Sequence, residues 1–117
     1  DEETKLLNNN SPIIREKLTK SFGADLYIND KLDKKKFASI IFSDSERLKL
    51  ANSIIHPEVL KHFESWCKQH AGERIVAMEA AILFESGFHL HLDKVVTIYA
   101  PLVQRVARVS QRENIPA

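Results

Sequence analysis

The sequence predicts an α/β chain, with a helical first half and a second half that carries two core strands. Three observations predict it. Apolar residues recur at spacings of three and four through the first half. Two short apolar runs, Arg74 to Met78 and Val95 to Ala100, are bounded by polar residues, as buried strands are. Roughly fifteen residues separate those runs, about the room that a parallel crossover needs.

The elements follow in order. Ser11-Pro12 supplies a cap and a first-turn proline, after which Ile14, Leu18 and Phe22 share one face and Gly23 provides a stop. Asn8-Asn9-Asn10 before it reads as a loop, and Leu26 to Leu32 reads as a connecting loop holding one apolar patch. Asp33 can cap a second helix carrying Phe37, Ile40 and Ile41. Ser43-Asp44-Ser45-Glu46 has capping-box spacing and opens a third, with Leu48, Ala51 and Ile55 inward. His56-Pro57 should break that helix, and Pro57 can begin the next, which carries Val59, Leu60, Phe63, Trp66 and Cys67. Ala71-Gly72-Glu73 turns into the first strand. After the second, Pro101 starts a basic helix with Arg105, Arg108 and Arg112 on one face. Two buried strands cannot make a doubly wound sheet, so further strands are expected outside this chain, or another molecule over these.

Composition narrows the function classes. A chain of 117 residues with 44% hydrophobic and 28% charged content suits one modest soluble domain. Its 17 basic and 16 acidic residues give +1, which argues against a broad nucleic-acid footprint. The single Cys67 cannot form an internal disulfide and reads as a buried structural thiol in a reducing compartment. No apolar run approaches membrane-spanning length, so no membrane partner is expected and the location reads as cytoplasmic. The chain starts on Asp-Glu-Glu without Met and is read as a piece of something longer. Nothing in the sequence sets an oligomeric state.

Chemistry concentrates at Met78-Glu79-Ala80-Ala81-Ile82-Leu83-Phe84-Glu85-Ser86-Gly87, where a strand runs into an acid. Ligands of open α/β sheets bind at the carboxyl ends of strands, and an acid there can face a metal-bound phosphate. By itself Glu79 reads equally as a solvated strand end. His89-Leu90-His91 with Asp93 is a compact group, but it lacks a third spaced ligand and reads as surface. His62 and His70 are expected to face water.

Several short signals in fixed order resemble the dephospho-coenzyme A kinase family. They are Asp1 with its acidic helix start, Lys31-Leu32-Asp33-Lys34, Phe42-Ser43-Asp44, Ile54-Ile55-His56-Pro57, Leu83-Phe84-Glu85-Ser86-Gly87, and Arg108 with Arg112. The resemblance covers nearly the whole chain. It implies a P-loop NTPase-type three-layer α/β/α fold with a parallel sheet. On that reading residues 1–72 are a mainly helical coenzyme A-binding region, 73–101 core strands, and 102–117 the start of a lid. The implied reaction is ATP-dependent phosphorylation of the ribose 3′-hydroxyl of dephospho-coenzyme A, with magnesium.

The resemblance also implies roles. Asp1 matches the family's proposed base, although alone it would read as a helix cap. Glu79 would approach magnesium through a water, and Arg112, with Arg108 bound to the nucleotide, would contact phosphates from the lid. His56, Phe84, Glu85 and Lys35 would meet the substrate, although His56 reads more readily as a histidine bonded to backbone at a helix break, and Lys35 as part of a solvated helix face. The family has Asp at Glu79, Pro at Ala81 and Asp at Glu113. Its Gly-rich loop, G-x-x-x-x-G-K-S/T, is expected before Asp1; the three glycines here, Gly23, Gly72 and Gly87, form no such loop, so these residues alone should not hold ATP. Another P-loop kinase of nucleoside-monophosphate type and a non-catalytic helical module are the alternative readings.

Overall fold

The computed structural model describes residues 1–117. Five helices, α1 (Glu2–Asn10), α2 (Pro12–Phe22), α3 (Lys34–Phe42), α4 (Ser45–Gln69) and α5 (Leu102–Glu113), accompany one small antiparallel hairpin, β1 (Tyr27–Ile28) and β2 (Lys31–Leu32). The first four helices and the hairpin enclose the core. Ile14, Leu18 and Leu26 are completely buried, with Phe37, Ala51, Ile54, Ile55 and Val59 around them. From the second half only Phe88 joins this cluster.

Local chemistry sets the helix starts. Ser11 Oγ accepts a hydrogen bond from Ile14 N, with Pro12 at the first helical position, and Asp33 Oδ1 accepts from Lys36 N. At the start of α4 the cap is Asp44, whose carboxylate accepts from Glu46 N at 2.9 Å. Ser43, expected to act in a capping box, instead donates its hydroxyl to Ile40 O at the end of α3.

Other expectations for the first half are also corrected. Asn8-Asn9-Asn10 is the last turn of α1. Asn9 Oδ1 there accepts from Leu32 N at 2.9 Å, and Asn8 O accepts from the Tyr27 hydroxyl at 2.7 Å. Polar residues that would suit a loop are thus recruited to hold the hairpin. The connecting loop is itself ordered into a 3₁₀ turn, Ala24–Leu26, followed by that hairpin. Asn29 and Asp30 form its tip with φ of 50° and 63°, a conformation that Asn and Asp tolerate better than most residues. Arg15 closes over it, donating to Asp30 and lying 4.7 Å from the Tyr27 ring centroid.

Pro57 does not break the helix: α4 runs unbroken from Ser45 to Gln69. Pro57 cannot donate to the Ser53 carbonyl, a loss that would end an isolated helix. Ile54, Ile55 and Val59, buried on both sides of it, hold the two parts in line. Cys67, expected to be buried, is half-buried on the last turns of α4.

The second half departs furthest from expectation. Residues 75–80 and 94–100 have no regular secondary structure and pair with no strand, and the segment between them is mostly turns, with one 3₁₀ turn, Phe88–His91. Neither expected strand is buried: Ile75 is 86% exposed and Ile98 89% exposed. Strand-forming side chains lie there with no sheet to cover them. The surface area reports the same deficit, 9184 Å² against about 6,500 Å² for a compact protein of this mass. What is shown is a mixed chain of helices with one small sheet.

Candidate active site

A cleft of about 700 Å³ opens between the start of α1, the middle of α4 and residues 77–82. Asp1, His56 and Glu79 line it together, so three of the residues singled out from the sequence converge. Asp1 is the N-cap of α1, yet its side chain makes no capping hydrogen bond. Its carboxylate is therefore free for another task. The main-chain nitrogen of Asp1 lies 3.4 Å from the Glu79 carbonyl oxygen and 3.8 Å from its carboxylate, which places two acids at one rim. Glu79 itself is 83% exposed.

His56 supplies the floor. Its ring meets Phe88 edge-on, with centroids 5.6 Å apart. Burial pushes its pKa below the ordinary histidine value, because a charged imidazole there would be poorly solvated. With no helix break at Pro57, it packs on an aromatic ring rather than bonding freed backbone. Farther along α4, Phe63 and Trp66 line the apolar end with stacked rings 6.1 Å apart. His62 bridges helices, its Nε2 lying 3.1 Å from Glu3 Oε2 on α1.

The remaining singled-out residues lie elsewhere. Phe84 is 57% exposed against His89, and neither it nor Glu85 lines the cleft. Their segment contributes through its turn. Ser86 Oγ donates to Leu83 O, and Gly87 adopts φ 77°, a left-handed value that favours glycine. This turn delivers Phe88 to the core, a role that needed the path of the chain over α4 to become visible. Lys35 is exposed on the first turn of α3, while its neighbour Lys36 pairs with Asp25 and holds that carboxyl below its usual pKa. Arg108 and Arg112 lie on α5, which has no buried residue, and Arg112 Nε contacts Glu113 at 2.8 Å. No cluster of three His, Cys, Asp or Glu side chains could hold a metal by itself, and His91 meets only Glu64, at 3.9 Å. Nor is any helix long and apolar enough to cross a membrane.

Residues 2–117 match the sequence model of a family described as dephospho-CoA kinase. The chain belongs to that family. It is 40% identical over 114 residues to a dephospho-CoA kinase of Bacteroides fragilis, covering 97% of this chain and 56% of that protein. A dephospho-CoA kinase of Porphyromonas gingivalis is 40% identical over 117 residues, covering 100% of this chain and 57% of its own. One from Chlorobaculum tepidum is 37% identical over 119 residues, at 96% and 57%. The chain thus spans a little over half the length of these dephospho-CoA kinases. No solved structure matches it. In this family member Asp1 and Glu79 line the same cleft, joined through the Asp1 main-chain nitrogen, and the arginines of α5 stand apart from it.

Proposed function

We propose that this chain is the acceptor-binding part of an ATP-dependent kinase that phosphorylates the ribose 3′-hydroxyl of dephospho-coenzyme A. The observation that carries the reading is the pair Asp1 and Glu79 at the rim of an otherwise largely apolar cleft, in a chain of this family. Residues 1–72 hold the acceptor, 73–101 supply strands to a P-loop-type parallel sheet completed by residues beyond these, and 102–117 begin a lid. A cytoplasmic location accords with this role.

Asp1, uncommitted to capping, accepts the proton of the 3′-hydroxyl as that oxygen attacks the γ-phosphorus. The bond from the γ-phosphorus to the β-γ bridging oxygen breaks, and ADP leaves. Neutral His56 and the aromatic end of the cleft give the acceptor an apolar seat. Glu79 is open to solvent and has no partner ligands among nearby side chains. It therefore suits magnesium held through water, since this ion keeps much of its hydration. When bound, the ion supplies charge neutralisation at the phosphates. Arg112 and Arg108, mobile with the lid, contact phosphate oxygens on closure; Phe84, Glu85 and Lys35 are further acceptor contacts.

The test compares full-length protein with the 117-residue piece, using dephospho-coenzyme A, ATP and magnesium. Full-length protein should form coenzyme A, and nucleoside monophosphates should be poor acceptors. The piece should be inactive, because nothing in it cradles the β- and γ-phosphates. Turnover by the piece, or preference for a nucleoside monophosphate, overturns the proposal.

A further inference from the structure

Helix α1 follows directly on the proposed base, yet it is the one helix of the first half with no buried residue. Leu6 is exposed, and Leu7 packs against the core only partly buried. Placement of α1 therefore falls largely to polar ties at its two ends. The far end is fastened by three of them. Asn9 Oδ1 accepts from Leu32 N at 2.9 Å, Asn8 O from the Tyr27 hydroxyl at 2.7 Å, and Asn9 O from Arg15 at 3.2 Å.

The end that bears Asp1 has a single side-chain tie to another helix. His62 on α4 meets Glu3, with Nε2 3.1 Å from Oε2, across 59 positions of sequence. A carboxylate only accepts, so the imidazole donates. Glu2 beside it pairs within α1, with Lys5. The Asp1 main-chain nitrogen does meet Glu79 O at 3.4 Å, but Glu79 lies in a segment with no regular structure and no strand partner.

Glu3 stands two residues past Asp1 at the start of the helix, and both line the cleft together with His62. At about 1.5 Å per residue the two acids are on the order of 3 Å apart along the axis, so what fixes one fixes the other. A base must stand within hydrogen-bond reach of the proton it takes. A misplacement of about 1 Å can cost on the order of a hundredfold in rate. The bridge itself is exposed and adds little to folding.

We infer that the Glu3–His62 bridge is a clasp that sets where the Asp1 carboxylate stands. His62 is then a positioning residue, acting on the reaction through Glu3 and Asp1. The inference rests on the kinase reading above and deepens it. An ordinary surface pair is the competing account.

Steady-state kinetics and melting of the full-length protein decide between them. His62→Ala should lower kcat by about one to two decades, while KM for both substrates and the melting temperature hold. Glu3→Ala should do the same. The double variant should fall no further than either single one, since both remove one bond. His62→Gln, whose amide can donate to Glu3, should recover most of the rate. Lys49→Ala, which breaks an exposed pair within α4, should change nothing. An unmoved kcat in His62→Ala, a raised KM in place of a lowered kcat, or losses that multiply in the double variant overturn the clasp alone. No turnover by the wild type overturns the kinase reading, and full turnover in Asp1→Asn overturns the base; either takes the clasp with it.

Discussion

His56 and Phe88 meet edge-on at 5.6 Å with their planes 64° apart, and this contact fastens the second half of the chain to the helical core. Phe88 is the one core residue supplied from beyond Val59. Met78 and Leu83 pack against the same cluster only partly buried. The position of Glu79 beside Asp1 thus depends on a small anchor.

Phe88→Ala should cost about 3 kcal/mol, the lower end for a phenylalanine removed from a core, since the site lies near the surface. Urea unfolding followed by circular dichroism measures it. Phe84→Ala, at an exposed ring, should cost far less. Equal losses would mean that Phe88 does not anchor the segment.

His56 should make stability pH-dependent in a stated direction. Its folded-state pKa is lowered by burial, so on acidification the unfolded chain takes up a proton before the folded one. Stability is therefore complete above the unfolded value of about 6.5, falls as pH drops through it, and levels off below the folded value. His56→Gln should remove that part of the slope between pH 7.5 and 5.5. An identical slope in the variant assigns the pH dependence to other groups.

Asp1→Asn in the full-length protein should lower turnover by about two to four decades, the range for loss of a general base. Because the side chain makes no capping bond, thermal stability and acceptor affinity should barely move. Activity within a few-fold of wild type would leave Asp1 no catalytic role.

The arginines of α5 offer a contrast. Arg105 donates from Nε to Ala100 O at 3.1 Å, whereas the fork of Arg112 meets only its neighbour Glu113. Arg112→Lys keeps the charge but loses bidentate geometry, so turnover at saturating substrates should drop. Arg105→Lys should be nearly silent, and the melting temperature of both should stay put, since exposed pairs contribute little. Equal turnover in the two variants would make the row an ordinary surface.

Glu79→Gln should raise the magnesium concentration needed for half-maximal rate, and chelation should abolish turnover of the wild type. An unchanged magnesium profile in the variant would take Glu79 out of the metal's surroundings.

Much of the helical half was legible because its signals are local. Ser11 and Asp33 act as caps, and Ile14 and Leu18 point inward as their spacing indicates. Pro57 was misread because buried neighbours on both sides outweigh its local effect. The asparagine run was misread because the partners of Asn8 and Asn9 are in a hairpin some twenty positions later. At the site, Asp1, His56 and Glu79 carried recognisable context, but Phe88 and the Glu3–His62 bridge depend on how the chain crosses α4. The pattern at 74–78 and 95–100 suits strands, but periodicity reads only a segment's own side chains and cannot say whether a neighbour pairs with it; here none does.

That unpaired character has a colloidal consequence. Val96, Ile98 and Tyr99 stand more than four-fifths exposed along a backbone whose N–H and C=O groups have no ladder. Such an exposed, unpaired segment of strand-forming residues invites a second molecule to pair with it, by intermolecular β-pairing that strengthens with concentration. Light scattering from the 117-residue piece should therefore rise with protein concentration, and Ile98→Lys should suppress it by placing a charge on the open segment. If residues 95–100 join a sheet as the proposed kinase reading requires, the same lysine would sit on an apolar face of the full-length protein, so the substitution that keeps the piece dispersed should lower full-length turnover.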